Sequence, residues 1–218
     1  MERAELFEAM SRTVIEGDAA AAAELATRAV AEGVDPLEAI DLGFVPGIDH
    51  VGEEFSKETM FLPELVLAGE AMKAAVAVLE PEMAKAGTAR EIHGTVVLAA
   101  AAGDIHDIGK SLVGTMLSAS GFRVVDLGVD VPVEKVVATV GEVGADIVGV
   151  SALLTTTMGG QRDVVQALES AGLRSDVKVM VGGAPVTPEW AVEIGADGFG
   201  EDAARAVAVA RQLVGVKG

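Results

Sequence analysis

Gly94-Thr95-Val96-Val97-Leu98-Ala99-Ala100-Ala101-Ala102-Gly103-Asp104-Ile105-His106-Asp107-Ile108-Gly109-Lys110 is the stretch from which the fold is read. Thr95 to Ala100 is a short apolar run without polar alternation, as expected of a parallel strand buried on both faces. After the polar loop Gly103 to Lys110 the period changes: Ile108, Leu112, Val113, Met116 and Leu117 fall on one helical face, and Gly121 supplies a C-terminal stop. The loop carries a single histidine with an acidic neighbour two residues back. That placement suits an axial metal ligand better than a packed core residue.

The strand-then-helix pattern repeats outward from there. Phe122 to Leu127, Asp146 to Val150, Lys178 to Val181 and Gly198-Phe199 are further short apolar runs, and Pro132 and Pro188 stand at first helical positions. The spacing predicts an α/β doubly wound domain with a five-stranded parallel sheet, flavodoxin-like in its strand order 2-1-3-4-5. In such sheets ligands bind beyond the carboxyl ends of the strands, here between the first and third. The loop Asp104 to Gly109 leaves the first strand and Ser151-Ala152-Leu153-Leu154-Thr155-Thr156-Thr157 leaves the third, so both should converge with Gly182-Gly183 on one site. Within it Asp104 is the natural partner for one nitrogen of His106, with Thr157 as the next link; such partners set the tautomer of a metal-bound imidazole. Gly109 and Gly182-Gly183 would let the backbone pass close to a bulky ligand, while Ser151 and Thr155 offer hydroxyls to a buried polar group.

The first half reads differently. It is rich in Ala, Leu, Glu and Met, and the capping signals Asp18 and Asp35-Pro36 together with Gly33 mark out a bundle of four helices. The third should kink or break at Gly43, Pro46 and Gly47, and the fourth should run from about Leu62 to Leu79 with Pro81 ending it. Glu82 to Arg90 then reads as a linker, which predicts a helical domain over 1–88 and the α/β domain over 89–218. Half of the 218 residues are hydrophobic, enough for a substantial core. A net charge of −18 disfavours nucleic acid and anionic membranes as partners. Without cysteine there is no disulfide, thiolate metal site or thiol nucleophile. No signal segment or membrane span is read, and the expected location is cytoplasmic. His50 and His93 lack the company that His106 has and read as surface or helix-face residues.

Asp104-x-His106-x-x-Gly109, then Ser151-x-Leu153, then Gly182-Gly183 resembles the fingerprint of cobalamin-binding domains, over most of Gly94 to Gly218. Phe44 to Phe55 and Met60 to Glu70 are similar to the helical cap of methyl-carrying corrinoid proteins, as in methionine synthase and in stand-alone carriers of methyltransferase systems. The resemblance implies a cobalamin or related corrinoid that cycles between methylcobalamin and Co(I) states, with His106 ligating cobalt in place of the cofactor's own base. It implies that Asp104 and Thr157 handle the proton of that ligand, Thr157 standing where methionine synthase-like proteins carry serine. The implied cofactor-binding set is Asp104, His106, Asp107, Gly109, Ser151, Leu153, Thr155, Thr157, Gly182 and Gly183, with Phe61 and Leu65 as lid candidates over the upper face.

The function so implied is a methyl shuttle, a carrier subunit rather than a complete enzyme. Its partners would be a substrate-specific methyltransferase, an acceptor methyltransferase using tetrahydrofolate or a thiol, and a reductive activase. A cobalamin-dependent sensor would share the cap yet need an output domain, and a mutase subunit would pair the second domain with a substrate barrel. A flavodoxin-like nucleotide binder would leave His106 idle and lacks G-x-G-x-x-G at the first turn.

Overall fold

The computed structural model describes residues 3–86 and 92–216. The chain separates into two compact units, Met1–Glu91 and Ile92–Gly218. The first contains α1 (Arg3–Ile15), α2 (Ala19–Ala31), α3 (Pro36–Glu38), a π-helical stretch (Ala39–Phe44), α4 (Val45–Ser56) and α5 (Leu62–Ala86). Asp18 accepts the Ala21 N–H at 2.9 Å and so caps α2, while Asp35 accepts the Leu37 N–H at 3.0 Å with Pro36 in the first turn.

Two expectations for this unit need correction. Gly43, Pro46 and Gly47 do not break the chain; it stays helical through a π turn in which the Val45 N–H reaches back to the Ile40 carbonyl. The wider turn absorbs the proline that follows it. The two glycines answer to packing instead: a Cβ at Gly43 would lie 2.5 Å from Met10 Sδ, and one at Gly47 would lie 2.4 Å from the Ser11 carbonyl oxygen. Nor does Pro81 end α5, which continues to Ala86. Pro81 faces solvent while the buried stripe Leu65, Ala68, Met72, Ala75, Leu79 and Met83 runs past it, so packing on both sides outweighs one lost backbone hydrogen bond. Of the expected linker, 82–86 is helical and 87–90 lies outside the described residues.

The second unit has a parallel sheet ordered β2-β1-β3-β4-β5, made of β1 (Thr95–Ala100), β2 (Arg123–Asp126), β3 (Ile147–Ser151), β4 (Lys178–Gly182) and β5 (Gly198–Gly200). Between and after these run α6 (Ile108–Ala119), α7 (Val133–Val143), α8 (Gly159–Ser170), α9 (Pro188–Glu193) and α10 (Ala203–Leu213). α6 packs with α10 and α7 with α8. The central strands β1 and β3 are almost wholly apolar because both their faces are covered, whereas the edge strand β2 is only half-buried and carries exposed Arg123 and Asp126; Val97, Ala99, Val148 and Val150 form a core with Val136, Val140, Val164 and Leu168. Ala100 pairs with Ser151, and Ser151 with Gly182, so the ends of β1, β3 and β4 stand level. This register is what gathers three loops at one edge.

Local details differ from expectation in two places. Ile108 does not join the buried face of α6; it is 77% exposed at the first position of the helix, and Lys110 is buried in that turn instead. Pro132 is the cap residue of α7, just before its first turn. Among the described residues no helix is long and apolar enough to cross a membrane.

Candidate functional site

β1 hands the chain to the site through Ala101, whose N–H binds the Ser151 carbonyl at 2.9 Å, and through Gly103, which turns it with φ +81°. Asp104 follows, 1% exposed, and its two carboxylate oxygens divide their work. Oδ1 meets His106 Nδ1 at 2.7 Å and accepts the His106 backbone N–H at 3.1 Å. Oδ2 accepts the Leu153 N–H and the Thr157 hydroxyl, each at 2.7 Å. Burial alone would raise the Asp104 carboxyl, but the hydrogen bonds from Thr157, Leu153 and His106 outweigh it and hold the group well below the usual carboxylate range. An ionised Asp104 fixes the proton of a neutral imidazole on Nδ1. Nε2 is then the nitrogen left to bind a metal.

Asp104, His106, Leu153 and Thr157 are thus brought together, Leu153 through its backbone. Ser151 is half-buried at the end of β3, and Thr155 lies exposed in the loop beyond. Asp107 turns away from His106: its carboxylate accepts the Ser111 hydroxyl at 2.8 Å and meets Lys110 Nζ at 2.8 Å. A Cβ at Gly109 would meet no protein atom within 4 Å, so that position borders open space. Gly182 and Gly183 differ from it. A Cβ at Gly182 would lie 2.8 Å from the Gly200 oxygen, and one at Gly183, with φ +123°, would lie 1.9 Å from the Ala152 oxygen. The close approach that makes these two glycines is therefore to the protein's own backbone. In the helical unit Phe61 is 63% exposed just before α5, whereas Leu65 is fully buried on the stripe already described. Leu65 is a core residue and not a presented lid.

Four polar residues of the α/β unit, Lys110, Asp126, Asp130 and Gln161, were not legible in the sequence. Lys110, 4% exposed, is ion-paired with Asp107 and Asp126. Asp130 accepts the Gly103 N–H at 2.7 Å. Gln161, 0% exposed, donates to the Val150 and Gly182 carbonyls at 2.9 and 3.0 Å and accepts the indole N–H of Trp190 at 2.9 Å. A signal for Gln161 was present: it is the polar member of the apolar face completed by Val164, Val165 and Leu168.

A family described as a B12 binding domain matches residues 94–208, and a second family of the same description matches residues 6–80. The chain belongs to the B12-binding corrinoid proteins. It is 46% identical over 211 residues to a corrinoid protein of Desulfitobacterium hafniense, covering 96% of this chain and 98% of that one. It is 47% identical over 204 residues to trimethylamine corrinoid protein 2 of Methanosarcina mazei, covering 94% of each. Among solved structures, a cobalamin-binding protein of Desulfitobacterium hafniense superposes with a TM-score of 0.81 at 37% identity, over 95% of this chain and 98% of that chain. The methanol:cobalamin methyltransferase complex of Methanosarcina barkeri gives 0.84 at 31% identity, over 98% of this chain and 81% of that chain.

The side chains present fit a corrinoid. No cluster of three or more metal-ligating side chains exists among the described residues, and a single oriented imidazole is what a metal that brings its own equatorial ligands requires. Ile105, Ile108, Leu153 and Leu154 are 74%, 77%, 41% and 44% exposed around the strand ends, apolar surface suited to a large flat macrocycle.

Proposed function

We propose that this corrinoid protein is a methyl carrier, with His106 Nε2 as the lower ligand of cobalt and Asp104 and Thr157 as its orienting relay. The observation that carries the reading is the hydrogen-bonded chain Thr157 to Asp104 to His106 at the exit of β1. The relatives support the carrier role. The trimethylamine corrinoid protein bears a methylamine in its name, and the Methanosarcina barkeri structure is of a methanol:cobalamin methyltransferase complex. We assign this chain a substrate-specific methyltransferase that loads it, and a second methyltransferase, using a folate or a thiol, that unloads it. A reductive activase that restores the active cofactor completes the set. A bound corrinoid supplies a cobalt centre able to accept and release a methyl group.

The chain's own residues do the rest. Asp104 holds His106 in the Nδ1–H tautomer, and the Thr157 hydroxyl and Leu153 N–H keep Asp104 ionised. Asp104 Oδ1 holds the ring by its Nδ1 edge, the contact that would present Nε2 to a bound cobalt. Exposed Phe61 is the lid candidate that remains in the helical unit.

The test is reconstitution with hydroxocobalamin, in the dark and without oxygen, followed by visible spectroscopy. Wild type should bind one corrinoid with the spectrum of a histidine-ligated form, and His106→Ala should bind it with that spectrum lost. Protein that takes up no corrinoid, or an unchanged His106→Ala spectrum, defeats the ligand assignment. Methyl transfer from trimethylamine or methanol, with the matching methyltransferase added, then tests the carrier role; a corrinoid-loaded protein inert with every such partner would instead be a sensor.

A further inference from the structure

Asp104 orients the ring of His106, but the side chain is 44% exposed, so its position depends also on the backbone that carries it. That backbone is fastened on both sides of His106 to one short segment, the end of β2 and the turn that follows. Upstream, the Gly103 N–H donates to Asp130 Oδ1 at 2.7 Å and the Asp130 N–H donates to the Asp104 carbonyl at 2.8 Å, a reciprocal pair. Downstream, Lys110 Nζ bridges Asp107 and Asp126, with the lysine side chain 2% exposed and the carboxylates 53% and 38%. The segment is itself rigid: Asp126 Oδ1 accepts the Gly128 N–H at 2.9 Å, and Gly128 has φ +88°. Asp130 adopts φ +49°, a left-handed conformation uncommon for non-glycine residues and one that aspartate tolerates better than most.

We propose that Asp126 to Asp130 is a brace for the His106 loop, in which Asp130 and Lys110 are positioning residues that set how much of the bound corrinoid carries histidine at cobalt. The proposal rests on the reading of His106 as the cobalt ligand. A buried lysine between two half-exposed carboxylates and a left-handed aspartate that closes a two-bond clamp are uncommon features for an ordinary surface turn. Both converge on the residues flanking one histidine. Loosening either clamp should let the loop sample positions from which Nε2 does not reach the metal, at the expense of the ligated state.

The experiment uses the full chain loaded with cob(II)alamin, with the protein's histidines labelled with nitrogen-15, and reads the paramagnetic resonance spectrum. A labelled axial histidine splits each cobalt line into a doublet, whereas the unlabelled base of the cofactor gives a triplet, so the fraction of histidine-ligated cobalt is read directly. Asp130→Gly keeps the backbone conformation accessible and removes the acceptor; Lys110→Met keeps the volume and removes the cation. Each should lower the ratio of histidine-ligated to unligated cobalt about fivefold, the worth of one hydrogen bond. Asp130→Asn, which keeps an acceptor and tolerates positive φ, should stay close to wild type. Circular dichroism and corrinoid stoichiometry check the fold of each variant, and Asp126→Asn replaces Lys110→Met if the latter does not fold. Unchanged ratios in Asp130→Gly and in the Lys110 or Asp126 variant overturn the brace, as does an Asp130→Asn ratio as low as that of Asp130→Gly. A wild type without the doublet overturns the ligand reading itself, an outcome distinct from these.

Discussion

Asp104 is a carboxylate whose burial is more than repaid by three neighbours, and its protonation therefore has a readable effect on stability. Its folded value lies below the roughly 3.9 of an unfolded aspartate. Stability from such a group is fully present above the unfolded value and is lost as pH falls through it toward the folded one. Urea unfolding measured from pH 6 down to pH 3 should thus show a steeper acid loss for wild type than for Asp104→Asn; parallel curves would assign the loss to other groups. Gln161→Leu should cost about 1–3 kcal/mol, because the Trp190 indole N–H loses its acceptor in a buried place and the Val150 and Gly182 carbonyls each lose one donor, Gly182 keeping that of the Ala152 N–H. Asp104, His106 and Thr157 were legible in the sequence because they fall in the loops after the first and third strands, so topology alone brings them together. Lys110, Asp126, Asp130 and Gln161 were not, since each acquires its role from a partner that only the finished sheet brings near.

At the level of elements, the strands and their order were readable because a strand buried on both faces leaves an unmixed apolar run. The helical unit was less so. Proline and glycine carry local penalties that suggest breaks at Pro46 and Pro81, but those penalties are small beside a continuous buried stripe, and a π turn is not encoded by any single residue. The glycines of α4 and the turn before it offer a direct comparison. Gly47→Ala should destabilise by about 1–3 kcal/mol, because its Cβ would meet the Ser11 backbone, which cannot step aside. Gly43→Ala should cost less, since its nearest neighbour is the flexible sulfur of Met10. Equal losses in guanidinium unfolding of the two variants would show that helix geometry, and not the α1 contact, selects glycine there.

On the scale of the whole chain, a charge of −18 on 218 residues is a self-repulsion that salt relieves. Raising ionic strength at pH 7 from about 0.01 M to about 0.15 M shortens the Debye length from roughly 30 to 8 Å and should raise Tm by a few degrees. A Tm that falls over this range would mean that attractive ion pairs dominate the balance. The chain also holds one tryptophan and no tyrosine, and that tryptophan is Trp190, bonded through its indole to Gln161 in the α/β unit. Ultraviolet-excited emission from this protein therefore comes, in effect, from one address. The helical unit is dark to it, so melting of the two halves can be separated optically without a label. Because Gln161 also holds the ends of β3 and β4, the same emission should report the arrival of a light-absorbing guest at those ends.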